Sequence, residues 1–401
     1  MSKFNAADYV VPRLKSLPPS GIRKFFDLVA NTKGVVSLGV GEPDFVTPWH
    51  IREACVHSLE KGYTMYTSNW GMPELRKGVV DYLSEKYHVN YSPENQVIIT
   101  VGASEAVDLA LRAVVNQGDE VIIPDPCYVS YKPCAAMAGG TVVSIPTKAE
   151  NDFKLTAQQL EDAITTKSKV LVLCYPNNPT GAIMTREELL QIAAVAEKHN
   201  LLVISDEIYS ELTYSGQHTS FASLPGMQDR TILINGFSKS FAMTGWRVGY
   251  AAGHPDIIGA MVKIHQYTIL CTPVTAQMAA LEALNNGMEQ VYHMRDQYNQ
   301  RRRLLVNRLN AMGLDCFEPK GAFYAFPSIK RTGLDSEEFC QHLLNEELVA
   351  VVPGEAFGES GKGHIRISYA SSINQIEEAL NRMERFVNKR YNNEVKLSAQ
   401  A

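Results

Sequence analysis

Lys239 stands in INGFSKSFAMTGWRVGY, residues 234–250, with Ser238 and Ser240 at its sides and Arg247 eight positions on, in a largely apolar run. An amine placed just after the β-like run TILINGF can attack a carbonyl carbon and form a Schiff base. Other polar groups follow apolar runs in the same part of the chain. GASEA, residues 102–106, follows VIITV and opens a helix, so Ala103 and Ser104 offer backbone N–H groups and a helix dipole to an anion such as phosphate. NNPTG follows KVLVLCYP and sets Asn177 and Asn178 in a turn held by Pro179 and Gly181. Asp206, Glu207 and Tyr209 follow LLVIS. Each feature has an ordinary reading by itself, as a helix cap, a turn or a solvated cation. Their joint occurrence at strand ends favours one site, because open α/β sheets bind ligands beyond the carboxyl ends of their strands.

The elements that must position these groups are short and nearly wholly apolar: NQVIITVG, DEVIIPD, SKVLVLCYP, LLVISDE, RTILINGF and VGYAAG. Such runs suit strands covered on both faces, which predicts an α/β fold with a mostly parallel central sheet. Helical stretches such as EAVDLALRAVVNQG and REELLQIAAVAEKHN lie between them. After about residue 285 the pattern changes to a long amphipathic helix, YHMRDQYNQRRRLLVNRLNAMG, then strands at GAFYAFP, VAVVPG and HIRISYA, a closing helix INQIEEALNRMERFVNK and a frayed tail YNNEVKLSAQA. The expected division is a large α/β domain over 49–284 and a smaller α+β domain built from 1–48 and 285–401. Along HIRISYA, Ile365, Ile367 and Tyr369 share one face and His364, Arg366 and Ser368 the other, where Arg366 would ordinarily be solvated. Read as part of a strand, Arg247 alternates with Gly249 and Ala251, so that a phosphate could approach it closely.

With 45% hydrophobic residues, the 401-residue chain can bury a large core. A net charge of −5 and the lack of a long basic run argue against nucleic acid or an anionic membrane as partner, and for small molecules. Seven scattered cysteines without a C-x-x-C pair, and no histidines at metal spacing, predict a reducing compartment and no metal site. The N-terminus lacks the apolar core of a signal peptide, so a cytoplasmic protein is expected.

A phosphate at residues 102–104, a lysine amine and a carboxylate able to keep a ring nitrogen protonated are the parts that a pyridoxal phosphate site requires. The chain resembles the class I and II aminotransferases of pyridoxal phosphate fold type I, in particular bacterial and archaeal aspartate, alanine and aromatic aminotransferases. The resemblance runs from about Ile22 to Val387 through SLGVGEPDF, YTSNWGMPELR, GASEA, YPNNPTG, SDEIYSE, GFSKSFAMTGWRVGY, KGAFYAFP and HIRISYA. It implies ping-pong transfer of an amino group from an L-amino acid to a 2-oxo acid, with 2-oxoglutarate as the expected acceptor.

The resemblance also implies roles. Lys239 holds the cofactor aldehyde and shuttles the proton, and Asp206 pairs with the pyridine nitrogen. Tyr209 and Asn178 hydrogen-bond the 3′-oxygen, and Tyr128 stacks on the ring where many relatives carry tryptophan. The backbone of Ala103 and Ser104, with Ser238 and Arg247, holds the phosphate. Gly41, Asn178 and Arg366 face the substrate, Arg366 as a two-pronged clamp on its α-carboxylate. Tyr66 matches a tyrosine donated across a homodimer interface to the neighbour's phosphate, which makes each site composite.

Ser104 occupies a position where some aspartate-preferring relatives have lysine, which argues against strict aspartate preference. Arg23 could supply a replacement charge, and alanine, aspartate, aromatic amino acids or an acylated diamino acid are all compatible donors. Two other readings share the frame. A β-lyase or a cyclopropane-carboxylate synthase would use the same cofactor residues. An effector-sensing transcription regulator needs a DNA-binding domain, for which the roughly twenty residues before the match are too few.

Overall fold

The computed structural model describes residues 4–15, 17 and 32–398; Arg23 lies outside them. After the two-residue strand β1 (Val36–Ser37), seven strands build the central sheet. They are β2 (Val97–Thr100), β3 (Glu120–Asp125), β4 (Thr141–Pro146), β5 (Ser168–Cys174), β6 (Leu202–Asp206), β7 (Thr231–Gly236) and β8 (Gly249–Ala252), in the order β2-β8-β7-β6-β5-β3-β4. Only β8 runs against its neighbours β2 and β7; the pairings from β7 through to β4 are all parallel. The mostly parallel sheet is thus present.

The apolar runs have a direct physical cause. Leu171, Leu173 and Val203 enter one core cluster, while Val170, Val172 and Ile204 enter another on the opposite side of the sheet. Both faces are covered, so both sets of alternating positions must be apolar. Edge strand β4 shows the converse. Its TVVSIP is half exposed, with only Ile145 buried, and it is absent from the run of apolar strands because nothing covers it fully.

The last third of the chain adds β9 (Tyr324–Ala325), β10 (Val349–Ala350), β11 (Val352–Pro353) and β12 (Ile365–Ser368). VAVVPG, expected as one strand, is two. β10 pairs with β1, whereas β11 joins β12 and β9 in a separate antiparallel sheet. Helices Met288–Ala311 and Ile373–Ser398 pack with these strands around Leu38, Leu305, Leu309, Phe323, Ile367 and Phe386. The closing helix continues to Ser398, past the point where fraying was expected, in a stretch with no glycine or proline to stop it. Ile208, Tyr209, Leu212 and Ala242, from loops beyond β6 and β7, belong to this same cluster, so the core of the last third reaches the ends of the central strands. Among the described residues no helix is long and apolar enough to cross a membrane.

Candidate active site

The carboxyl ends of β5, β6 and β7 open on a cavity of about 660 Å³, lined by Lys239, Asp206, Tyr209, Asn178, Ser238, Ala103, Ser104, Arg247, Tyr128, Gly41 and Arg366. Every expected site residue except Tyr66 is in that lining. At its centre the Lys239 Nζ donates to the Gly41 carbonyl at 2.7 Å. Burial lowers the Lys239 pKa to about 8; the Glu42 carboxylate opposes this, and the Arg366 and Arg247 charges reinforce it. The amine is therefore readily freed of its proton near neutral pH, as a nucleophile or a proton carrier must be.

Asp206 closes β6 as a buried carboxylate. The Tyr131 hydroxyl donates to its Oδ2 at 2.6 Å and the Ile208 N–H to its Oδ1 at 3.2 Å. Burial raises its pKa to about 6 against the opposing pull of these two hydrogen bonds. Such a group is poised to share a proton with a basic nitrogen. Nearby, the Tyr209 and Tyr324 hydroxyls are 2.9 Å apart, and burial pushes the Tyr209 phenol well above its ordinary range, so it is a neutral donor.

At the other side, Arg366 is 3% exposed. The solvated strand face that is ordinary for an arginine does not occur here, because β12 is the middle strand of its sheet and its second face turns into the cavity. Its Nη1 donates to Asn178 Oδ1 at 3.0 Å and its Nη2 to the Gly39 carbonyl at 2.6 Å. The rings of Tyr324 and Phe357 lie 4.4 and 4.6 Å from the guanidinium carbon. Among the described residues, the buried Nε has no hydrogen-bond partner and no carboxylate pairs with this charge. A buried guanidinium so placed calls for an anion.

Arg247 corrects the strand reading. β8 begins only at Gly249, and Arg247 has a left-handed φ of 53° in the preceding turn. Its guanidinium donates to the Thr244 carbonyl at 3.0 Å and to the Val101 carbonyl at 3.4 Å. A Cβ on Gly102, whose φ is 79°, would come within 2.7 Å of Arg247 Nη2, and one on Gly249 within 2.7 Å of the Ala103 nitrogen. Glycine thus brings the arginine against the start of helix Ala103–Val114, by turn geometry rather than strand alternation.

Arg247 at a helix start, a central amine, a buried acid and a guanidinium without a carboxylate partner around one cavity are the donor set that pyridoxal phosphate and an amino acid would need, and the Arg366 Nε is a donor without an acceptor among the described residues. The family model "Aminotransferase class I and II" matches residues 33–383.

The chain belongs to the class I and II aminotransferases.

Membership implies pyridoxal phosphate as cofactor and ping-pong transamination. The aminotransferase is 55% identical to the Bacillus subtilis protein YugH over 95% of this chain and 99% of that one. It is 46% identical to an aspartate aminotransferase of Pyrococcus abyssi, over 93% and 97% of the two chains. The solved aromatic aminotransferase of Pyrococcus horikoshii superposes with a TM-score of 0.88 at 44% identity, over 92% of this chain and 99% of that one.

Several features of this aminotransferase's site escaped the sequence reading. Tyr131 lies three positions after Tyr128 at the start of helix Tyr131–Met137, and the two rings meet edge to face at 5.4 Å. That spacing was the available signal. Tyr324 lies within KGAFYAFP, and a Cβ on Gly41 would overlap its hydroxyl. The Gly41 carbonyl, which accepts from Lys239, is a contact the sequence did not suggest. Tyr66 is 83% exposed and away from the cavity.

Proposed function

We propose that this aminotransferase takes the amino group of alanine, aspartate or an aromatic amino acid and passes it to a 2-oxo acid, with 2-oxoglutarate as acceptor. The observation that carries the reading is Lys239, its pKa lowered by burial, set in one cavity with buried Asp206 and carboxylate-free Arg366. When bound, pyridoxal phosphate supplies an aldehyde and a ring that withdraws electrons from the substrate Cα.

The chain's own groups do the rest. Ala103, Ser104, Ser238 and Arg247 hold the phosphate, and Tyr128 covers the ring. Asp206, steadied by Tyr131, holds a proton at the ring nitrogen. Tyr209 and Asn178 orient the ring's 3′-oxygen. Arg366, with Gly41 and Asn178 beside it, grips the substrate α-carboxylate. Lys239 moves the proton at Cα.

Among the described residues, Lys239, Arg247 and Arg366 supply all the lysine and arginine lining of the cavity, so nothing there meets a distal carboxylate. This favours alanine or an aromatic donor, and leaves Arg23 as the candidate for binding a second carboxylate. The names of the relatives, which include aspartate and aromatic aminotransferases, are compatible with that range.

We also assign the domains as 49–284 against 1–48 with 285–401. The oligomer is a two-fold dimer in which Tyr66 reaches the partner's phosphate site. The compartment is the cytoplasm, favoured by seven unpaired cysteines.

The test is the absorption spectrum of the protein loaded with pyridoxal phosphate, as each amino acid is added alone. Conversion to the pyridoxamine phosphate spectrum with alanine or phenylalanine, and its reversal by 2-oxoglutarate, is expected. An unconverted spectrum with pyruvate and ammonia accumulating would replace this reading with a β-lyase.

A further inference from the structure

The turn over residues 354–361 crosses the end of β3 and carries Phe357, whose ring covers one face of the Arg366 guanidinium. One buried carboxylate holds that turn. Asp125, the last residue of β3 and 2% exposed, pairs through Oδ1 with Lys132 and accepts the Ser360 N–H at Oδ2, 2.9 Å away. Two residues on, the Cys127 N–H donates to the Phe357 carbonyl at 2.9 Å. Gly358 has a φ of 130°, and a Cβ there would overlap Asp125 Oδ1. The backbone is therefore wrapped directly on the carboxylate, at a position only glycine can occupy.

We propose that Asp125 is a positioning residue for substrate binding: by clasping the turn at 358–360 it seats Phe357 against Arg366 and so fixes the guanidinium that receives the carboxylate. The inference rests on the reading of Arg366 as that clamp. Among the described residues Arg366 donates to two acceptors, and its orientation otherwise depends on the Tyr324 and Phe357 rings. With the Phe357 side loosened, the guanidinium tilts and hydrates, and the carboxylate of donor and acceptor alike loses one arm of a bidentate contact. The chemistry at Lys239 and Asp206 is untouched, so the loss falls on binding.

The experiment compares steady-state kinetics of the holoenzyme with those of Asp125→Asn, Arg366→Lys and the double variant, with the dissociation constant for pyridoxal phosphate measured alongside. In Asp125→Asn, KM for both the amino acid and the oxo acid is expected to rise about tenfold, the size of one charge-assisted hydrogen bond. At the same time kcat stays within about threefold and cofactor affinity is unchanged. In the Arg366→Lys background the same substitution adds nothing further to KM, since the group it positions is gone. Lys132→Met, which removes the ion pair that fixes the carboxylate and so loosens its hold on the turn without removing the Ser360 hydrogen bond, gives a smaller rise of the same kind and serves if Asp125→Asn does not fold. Additive KM effects in the double variant, or a loss confined to kcat or thermal stability, would overturn the proposal and leave the Arg366 reading standing. An unchanged KM in Arg366→Lys alone would overturn both.

Discussion

Lys239 and Asp206 are displaced in opposite directions by the same cause. Each would be fully charged in water at neutral pH, and burial disfavours the charged form of each, lowering the amine to about 8 and raising the acid to about 6. This has a consequence for stability. Because the Lys239 pKa falls from 10.5 on folding, its contribution is favourable above 10.5 and is lost as pH falls through about 8. In cofactor-free protein at pH 7, removing the amine should therefore stabilise the fold. The gain is about 3 kcal/mol from the shift, less about 1 kcal/mol for the lost hydrogen bond to Gly41. Urea unfolding of cofactor-free Lys239→Met should show this advantage at pH 7 and its disappearance between pH 8 and 10.5. An advantage that does not change with pH would mean that packing, not the buried charge, was responsible.

At the scale of elements, the proposed phosphate cradle depends on where a helix begins and a strand has not yet begun. Helix Ala103–Val114 starts immediately after Gly102, and Arg247 approaches that start from a left-handed turn before β8. Gly102→Ala forces a side chain onto a φ of 79° and against Arg247 Nη2, so it should cost about 1–3 kcal/mol. Because the strain falls between the two halves of the cradle, the cost should appear as at least about tenfold weaker cofactor binding. Equilibrium dialysis of Gly102→Ala against pyridoxal phosphate measures it, and native affinity would detach the turn from phosphate binding. The glycine and the helix start were both legible in GASEA. The conformation of Arg247 was not, because alternation was extended back through residues that β8 does not include. VAVVPG failed for a related reason: a continuous apolar run does not say that its two halves pair with different partners.

For the whole molecule, the telling surface is apolar and exposed. Met65 and Tyr66 are 80% and 83% exposed, and Tyr267 is 88% exposed. The Asn69 side chain donates to the Leu270 carbonyl at 2.8 Å, tying the two segments into one patch. In the proposed dimer this patch is the surface that becomes covered, and covering it would carry Tyr66 to the other subunit's proposed phosphate site. Complementation tests this. Lys239→Ala and Tyr66→Ala are each expected to be impaired, but a hybrid dimer takes Lys239 from one chain and Tyr66 from the other, which assembles one native site. Activity should rise on mixing the two variants under subunit exchange. Exchange without recovery would rule out donation of Tyr66.

The amino-acid sequence by itself determined the element types and the inventory of groups. Strands covered on both faces must be apolar throughout, and turns that cradle an anion need glycine and free N–H groups, so these are written locally. Only the tertiary structure decided which neighbours tune those groups. Tyr131 reaches Asp206 across 75 positions, and Tyr324 reaches Tyr209 across 115. Asp125 acts on a turn more than two hundred residues away. Local periodicity carries no information about such contacts, and burial strong enough to bring an amine to about 8 exists only once the cavity has closed around it.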